Sequence, residues 1–227
     1  YSLCAPPKTY TSLPIGNRNF SIRAYDSLGN RGSTVSYAWT IDQTAPVVTF
    51  ASVPATVTNS TSISLSFTGA DSGGGSISGY ECRLDTASFT SCSSPVSYSG
   101  LSQAAHSIEV RATDSSGNTG SAASFNWIVD LTPPSVSLSV TPSAITNSLS
   151  ATFSFIALDS GGGVVANSFC SLNGGAFTLC TSPVQYSSLT EGVQNFSIKA
   201  MDSAGNMGPT ASYAWSIDTT APTVTFV

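Results

Sequence analysis

The chain carries only 12 acidic residues, and six of them fall into two sets with the same internal spacing. The first set is Asp42, Asp71 and Asp114, with Asn118 close behind. The second is Asp130, Asp159 and Asp202, with Asn206. Each member lies 88 residues from its counterpart in the other set. Carboxylate and amide oxygens in such numbers suit a hard cation such as Ca²⁺, which takes about six to eight oxygen ligands. Two carboxylates about 5 Å apart repel by roughly 1–3 kcal/mol, depending on the local dielectric. A set that converged would therefore gain from a compensating positive charge. The same residues also have an ordinary reading. Asp114 heads the run Asp-Ser-Ser-Gly-Asn, where an Asx turn and Gly117-Asn118 supply a hairpin, and Asp130 ends a strand. Both readings stay open at the level of sequence.

Sulfur gives a second pattern. Cys82 and Cys92 flank Asp85-Thr86-Ala87-Ser88, and Cys170 and Cys180 flank Asn173-Gly174-Gly175-Ala176. Each pair reads as a short cross-strand disulfide over a hairpin turn, stabilising by about 2.5–3 kcal/mol through loop entropy. Zinc is the rival for paired cysteines, but it needs about four ligands, and the whole chain has one His. Cys4 is left over; by the same spacing its partner would precede residue 1. Disulfides imply an oxidising compartment, hence export.

These residues sit in a repeat. Trp39, Trp127 and Trp215 are 88 apart, as are Asp26, Asp114 and Asp202, and Pro46, Pro134 and Pro222. No gaps are needed. Residues 47–134 and 135–222 are expected to be two whole repeats, 1–46 the second half of one, and 223–227 the first strand of another. A chain of this form reads as a window on a longer array.

Within a repeat, hydrophobic residues alternate with polar ones, the period of a half-buried strand. Ile63, Leu65 and Phe67 oppose Ser62, Ser64 and Ser66. Ile108, Val110 and Ala112 oppose Glu109, Arg111 and Thr113. Phe125, Trp127 and Val129 oppose Asn126, Ile128 and Asp130. Seven runs fit, near 47–53, 61–70, 78–85, 88–92, 95–99, 105–114 and 122–130. The expected fold class is all-β, as tandem Ig-like sandwiches. Composition agrees: Ser and Thr fill 69 of 227 positions, while charged residues make up only 8%. Hydroxyl side chains suit strands with one wet face. The same bias excludes coiled coils, and 22 aromatics argue against disorder. A net charge of −5 leaves little with which to bind nucleic acid. No apolar run is long enough for a helical membrane span.

The paired cysteines, the Asp-x-x-Gly-Asn turn and the Trp-x-[Val/Ile]-Asp-x-Thr-x-Pro linker together resemble the bacterial Ig-like repeats of large surface adhesins and other long exported proteins. The resemblance spans the chain. One feature departs from the related fibronectin type III pattern: the aromatic after Leu189 and Gly192 is Phe196, one place later than that family's tyrosine. The resemblance implies a stalk, with neighbouring repeats of the same chain as the main partners, and in some arrays calcium at the junctions. In Ig-like order, the 71–75 and 114–120 loops would share the pole that Asp42 enters. The proline linkers are expected to keep neighbours end to end.

Catalysis is not expected. His106 is the only His, and Arg18 and Gln194 replace it in the other repeats, so it reads as a surface strand residue. Gly73-Gly74-Gly75 and Gly161-Gly162-Gly163 open no helix, so neither reads as a phosphate cradle. Asn19, Asn59 and Asn195 begin glycosylation sequons, which chance supplies in a chain this rich in Ser and Thr. Other readings are a filament subunit pairing laterally through strand edges, and a non-catalytic ligand-binding module of an exported protein.

Overall fold

The computed structural model describes residues 1–226, and among them there is no helix. The strands are, in chain order, β1 (Gly16–Ile22), β2 (Val35–Ile41), β3 (Val47–Ser52), β4 (Val57–Thr58), β5 (Ile63–Ala70), β6 (Ile77–Leu84), β7 (Thr90–Cys92), β8 (Val96–Tyr98) and β9 (Ala104–Asp114). They continue with β10 (Ala123–Val129), β11 (Ser135–Val140), β12 (Ile145–Thr146), β13 (Ala151–Leu158), β14 (Val165–Leu172), β15 (Thr178–Leu179), β16 (Val184–Tyr186), β17 (Gly192–Asp202) and β18 (Ala211–Ile217). Residues 223–226 carry no strand, and Val227, the end of the expected strand 223–227, lies outside the described residues.

The chain forms two compact units. One comprises Tyr1–Val53, Ser64–Val96 and Ser107–Phe125; the other comprises Pro54–Ile63, Ser97–His106 and Asn126–Val227. The second unit contains a sandwich of a three-stranded sheet, β11-β13-β16, and a five-stranded sheet, β12-β18-β17-β14-β15. Residues 47–129 repeat the two strand orders as β3-β5-β8 and β4-β10-β9-β6-β7. In the first unit, β1 and β2 make a two-stranded antiparallel sheet.

Every run read from the sequence coincides with a strand. The short strands β4 and β12 were not foreseen. They pair parallel with β10 and β18, through Ile128↔Val57 and Ile145↔Ser216. Two residues are too few to show a period.

Alternation fixes the core. Along β17, every second residue is buried: Gln194, Phe196, Ile198, Ala200 and Asp202. Phe153 of β13 stacks on Phe196 at 4.1 Å between ring centroids and meets Trp215 edge-on at 5.3 Å. Phe155, Cys170 and Leu189 complete that cluster with Ala151, Ile198 and Ile217. Both hairpin disulfides are present, Cys82–Cys92 and Cys170–Cys180, each with Cα atoms 5.8 Å apart. Cys4 is free and exposed. The turns begin one residue earlier than the flanking pattern suggested: Ala87 N–H donates to Leu84 C=O and Gly175 N–H to Leu172 C=O.

A cation lies on a ring at the same place in each period. Arg111 sits 4.1 Å from the Phe89 centroid, Lys199 4.4 Å from Phe177 and Arg23 3.9 Å from Tyr1. These three pairs hold equivalent places in the 88-residue period. A cation–π contact at a surface is worth about 0.5–1 kcal/mol, so three of the seven basic residues serve packing.

Candidate cation site

The inward row of β9 ends on Asp114, which is 2% exposed, and that of β17 on Asp202, which is 1% exposed. Parity thus places each carboxylate on the core side, just where its strand turns. Asp114 Oδ1 accepts from the N–H of Ser116 at 2.8 Å and of Asn118 at 2.9 Å, and Oδ2 accepts from Asn118 Nδ2 at 2.9 Å. Gly117, at φ +91°, takes the backbone through a region closed to most side chains. Asp202 bonds the N–H and Nδ2 of Asn206 in the same way, and so does Asp26 with Asn30. All three aspartates therefore make the hydrogen bonds of an Asx turn, as the Asp-x-x-Gly-Asn motif requires.

The structure also brings the sets together. Asp42, Asp71 and Asp114 each offer an oxygen within 4.8 Å of the others, and so do Asp130, Asp159 and Asp202. The first cluster lies wholly within the first compact unit and the second wholly within the second. The glycine triplets make this approach feasible. A Cβ on Gly73 would run into the Asp42 carboxylate, and one on Gly161 into that of Asp130. Asp71 Oδ2 accepts from Gly75 N–H at 2.9 Å, and Asp159 Oδ1 from Ser160 N–H at 2.8 Å.

The two asparagines clamp rather than decorate. Asn118 Nδ2 reaches the main-chain carbonyl of Asp42 at 3.3 Å, and Asn206 Nδ2 that of Asp130 at 2.8 Å. Each therefore ties a turn to the aspartate that arrives from the preceding repeat. Asp130, expected to face outward like Asn126 and Ile128, is fully buried at 0% exposure. It ends its strand inside the cluster, with Oδ1 held by Thr132 N–H and Oδ2 by Gly163 N–H. The linker carbonyls of Pro46 and Pro134 press on Gly120 and Gly208, where a Cβ would collide with them.

One oxygen in each cluster is left over. Asp42 Oδ2 in the first and Asp159 Oδ2 in the second are buried and accept no hydrogen bond. A buried carboxylate oxygen without a donor costs about 1–3 kcal/mol or more, and here two further carboxylates stand beside it.

No family model and no curated protein matches the chain. Fibronectin type III modules are its neighbours among solved structures. The fibronectin(III)-like modules of Clostridium thermocellum CbhA share 18% identity at TM-score 0.45, over 75% of this chain and 94% of that one. The FN1–FN3 domains of chicken CNTN1 share 13% at TM-score 0.39, over 88% of this chain and 77% of theirs. The central fibronectin-III array of RIM-binding protein shares 17% at TM-score 0.28, over 78% and 71%.

His106 is buried rather than on the surface as expected, stacked 5.6 Å from the Trp127 ring. Its Nε2 bonds Ser102 C=O at 2.9 Å. Gln194 Nε2 donates to Thr190 C=O at 2.8 Å, and Arg18 Nε to Pro14 C=O at 2.9 Å. The position requires a bond to the carbonyl four residues back, which three different side chains provide. Alternation alone cannot reveal that demand.

Burial opposes ionisation of Asp114, but the bonds from Asn118 and from the Ser116 N–H outweigh it and hold its carboxyl below the usual carboxylate range. In the unfolded chain Asp114 takes up its proton first as pH falls. Its stabilising contribution is complete above the ordinary Asp range and is lost as pH drops through that range to the folded value. We expect a carboxyl ¹³C titration to place Asp114 below a random-coil Asp. The urea midpoint should fall over the same interval, less steeply in Asp114→Asn. A midpoint for Asp114 at or above the random-coil value would contradict this account.

Proposed function

We propose that this chain is a load-bearing segment of an extracellular array: a stalk of a bacterial cell-surface adhesin or exported fibre, with cation-stiffened joints between repeats. Its repeats are 47–134 and 135–222, with 1–46 the second half of another. The observation that carries the reading is the pair of carboxylate clusters, each with one buried oxygen that no donor meets. A hard dication would supply that partner and cancel the repulsion. Calcium, which tolerates irregular oxygen sets, fits better than Mg²⁺. Asp42, Asp71 and Asp114 would hold one ion and Asp130, Asp159 and Asp202 the other, with Asn118 and Asn206 keeping the incoming aspartate in place. Two disulfides in a chain of 8% charged residues support an extracellular setting. A use of His106 as packing rather than as a base supports a non-catalytic role.

Calorimetric titration of the chain with Ca²⁺ tests this directly. Two binding events are expected in the submillimolar to millimolar range common to extracellular modules, with Asp130→Asn abolishing one and Asp42→Asn the other. Hydrogen exchange at the Thr132 and Gly163 amides should slow with calcium, while the β17 core is unchanged. No heat up to millimolar Ca²⁺, with identical exchange in chelator, would leave the aspartates as turn residues alone.

A further inference from the structure

The inward sides of β6 and β14 differ in one side chain that matters. Tyr80 of β6 sets its ring edge-on to Phe67, 5.1 Å between centroids. Its hydroxyl accepts from the Gly69 N–H at 2.8 Å. One period later these three residues are Ser168, Phe155 and Ala157. In place of the phenol ring there is a cavity of about 540 Å³, lined by Phe155, Val165, Ser168, Leu179 and Ser182 among others. All its lining residues belong to the second compact unit, and none is a member of the carboxylate clusters. The volume falls within about 300–1,000 Å³, the range of small-molecule sites.

The backbone bonds identify what the cavity offers. Phe67 N–H donates to Ser94 Oγ and Phe155 N–H to Ser182 Oγ, both at 2.9 Å. Two residues on, strand parity repeats that direction. There the Gly69 N–H meets the Tyr80 hydroxyl. The Ala157 N–H points the same way, and Ser168 is too short to reach it. A ring-sized space against Phe155 thus has a main-chain donor beside it. Leu179 replaces Ser91 and, although 68% exposed, forms part of the wall, so the cavity gains apolar surface where the other copy has a hydroxyl. Ala157 matters too. A Cβ on Gly69 would stand 3.0 Å from the Tyr80 oxygen and 3.1 Å from its Cε1. A tethered tyrosine in that pose therefore crowds an alanine, and the two positions change together. A free ring has no tether and can sit the few tenths of an ångström further out that the methyl requires.

We propose that this cavity binds a small molecule bearing a phenol group, its ring against Phe155 and its hydroxyl accepting from the Ala157 N–H. The chemistry of the occupant is that of the side chain filling the same place one period earlier. The proposal does not depend on the array reading above.

Titration of the whole chain with p-cresol, followed in ¹H–¹⁵N spectra, tests it. The Ala157 amide should shift and saturate, while the Gly69 amide, already bonded to Tyr80, stays in place. Toluene, the same molecule without the hydroxyl, should bind at least about threefold more weakly, in line with the loss of one hydrogen bond. Leu179→Ser copies the other repeat at an exposed position and should weaken p-cresol binding severalfold without disturbing the fold. Ser168→Tyr together with Ala157→Gly rebuilds the internal phenol. It should abolish the p-cresol response at the Phe155 amide, with amide exchange along β17 unchanged. Shifts rising linearly at Gly69 and Ala157 alike would mean unspecific contact. Equal affinity for toluene would mean a cleft with no role for the hydroxyl. Ala157 shifts that track protein concentration without ligand would put a second copy in the cavity. Each of these three results would overturn the proposal.

Discussion

Replacing Phe153 with alanine is expected to destabilise the sandwich of β11 to β18 by about 3–5 kcal/mol, the range for removing a fully buried aromatic. Phe153 is 0% exposed. It makes ring contacts with Tyr186, Phe196, Tyr213 and Trp215, so both sheets lose a shared partner. The chain offers its own control. One period earlier the counterparts of Phe153 and Phe196 are Leu65 and Ile108, 1% and 0% exposed. Both members of the stacked pair have changed together. Phe153→Leu alone should therefore leave a void, and adding Phe196→Ile should couple with it rather than add. Amide exchange along β17 in urea reads the local stability without averaging over the rest of the chain. A loss under about 1 kcal/mol for Phe153→Ala would show a core that collapses around the gap, against the packing described here.

Removing the Cys170–Cys180 bridge is expected to cost about 2.5–3 kcal/mol by chain entropy alone. Cys170 is itself 2% exposed, so Cys170→Ala with Cys180→Ala also loses packing, whereas reduction by a thiol keeps the sulfur in place. The difference between the two treatments separates the tether from the side chain. The Cys82–Cys92 bridge closes a loop of equal length, so its loss should cost the β6–β7 hairpin and the sheet it belongs to a similar amount. If exchange in β17 were the same before and after reduction, the bridge would be incidental to a hairpin that holds by itself.

Much of this architecture was readable because two periods coincide. The strand period showed in runs such as Ile108-Glu109-Val110-Arg111-Ala112, and the 88-residue period let each ambiguous position be judged against another copy. What escaped was contact that neither period encodes. β4 is two residues long and is held by its neighbour, not by its own pattern. Asp130 has the parity of an exposed residue, yet it is buried because the next repeat's glycine loop closes over it. His106 looked like a surface outlier because Arg, His and Gln share no chemistry except an N–H that can reach a carbonyl. The convergence of the carboxylates was foreseen only on the assumption of a strand order. The glycines that permit it were first read only for what they exclude.

Each 88-residue period carries both sides of its joint. The end of one period brings Asp130, Thr132 and Pro134; two loops of the next bring Asp159, Gly161, Gly163, Asn206 and Gly208. Two different surfaces meet, and an interface of that kind does not close on itself but can be continued indefinitely. Copy number is therefore free to vary. Adding or removing a whole 88-residue period would leave every remaining joint with its full set of partners. An insertion of any other length would part an aspartate from its glycine loop. Selection can then tune how far the chain reaches without having to invent a new contact, and the gene itself becomes the ruler.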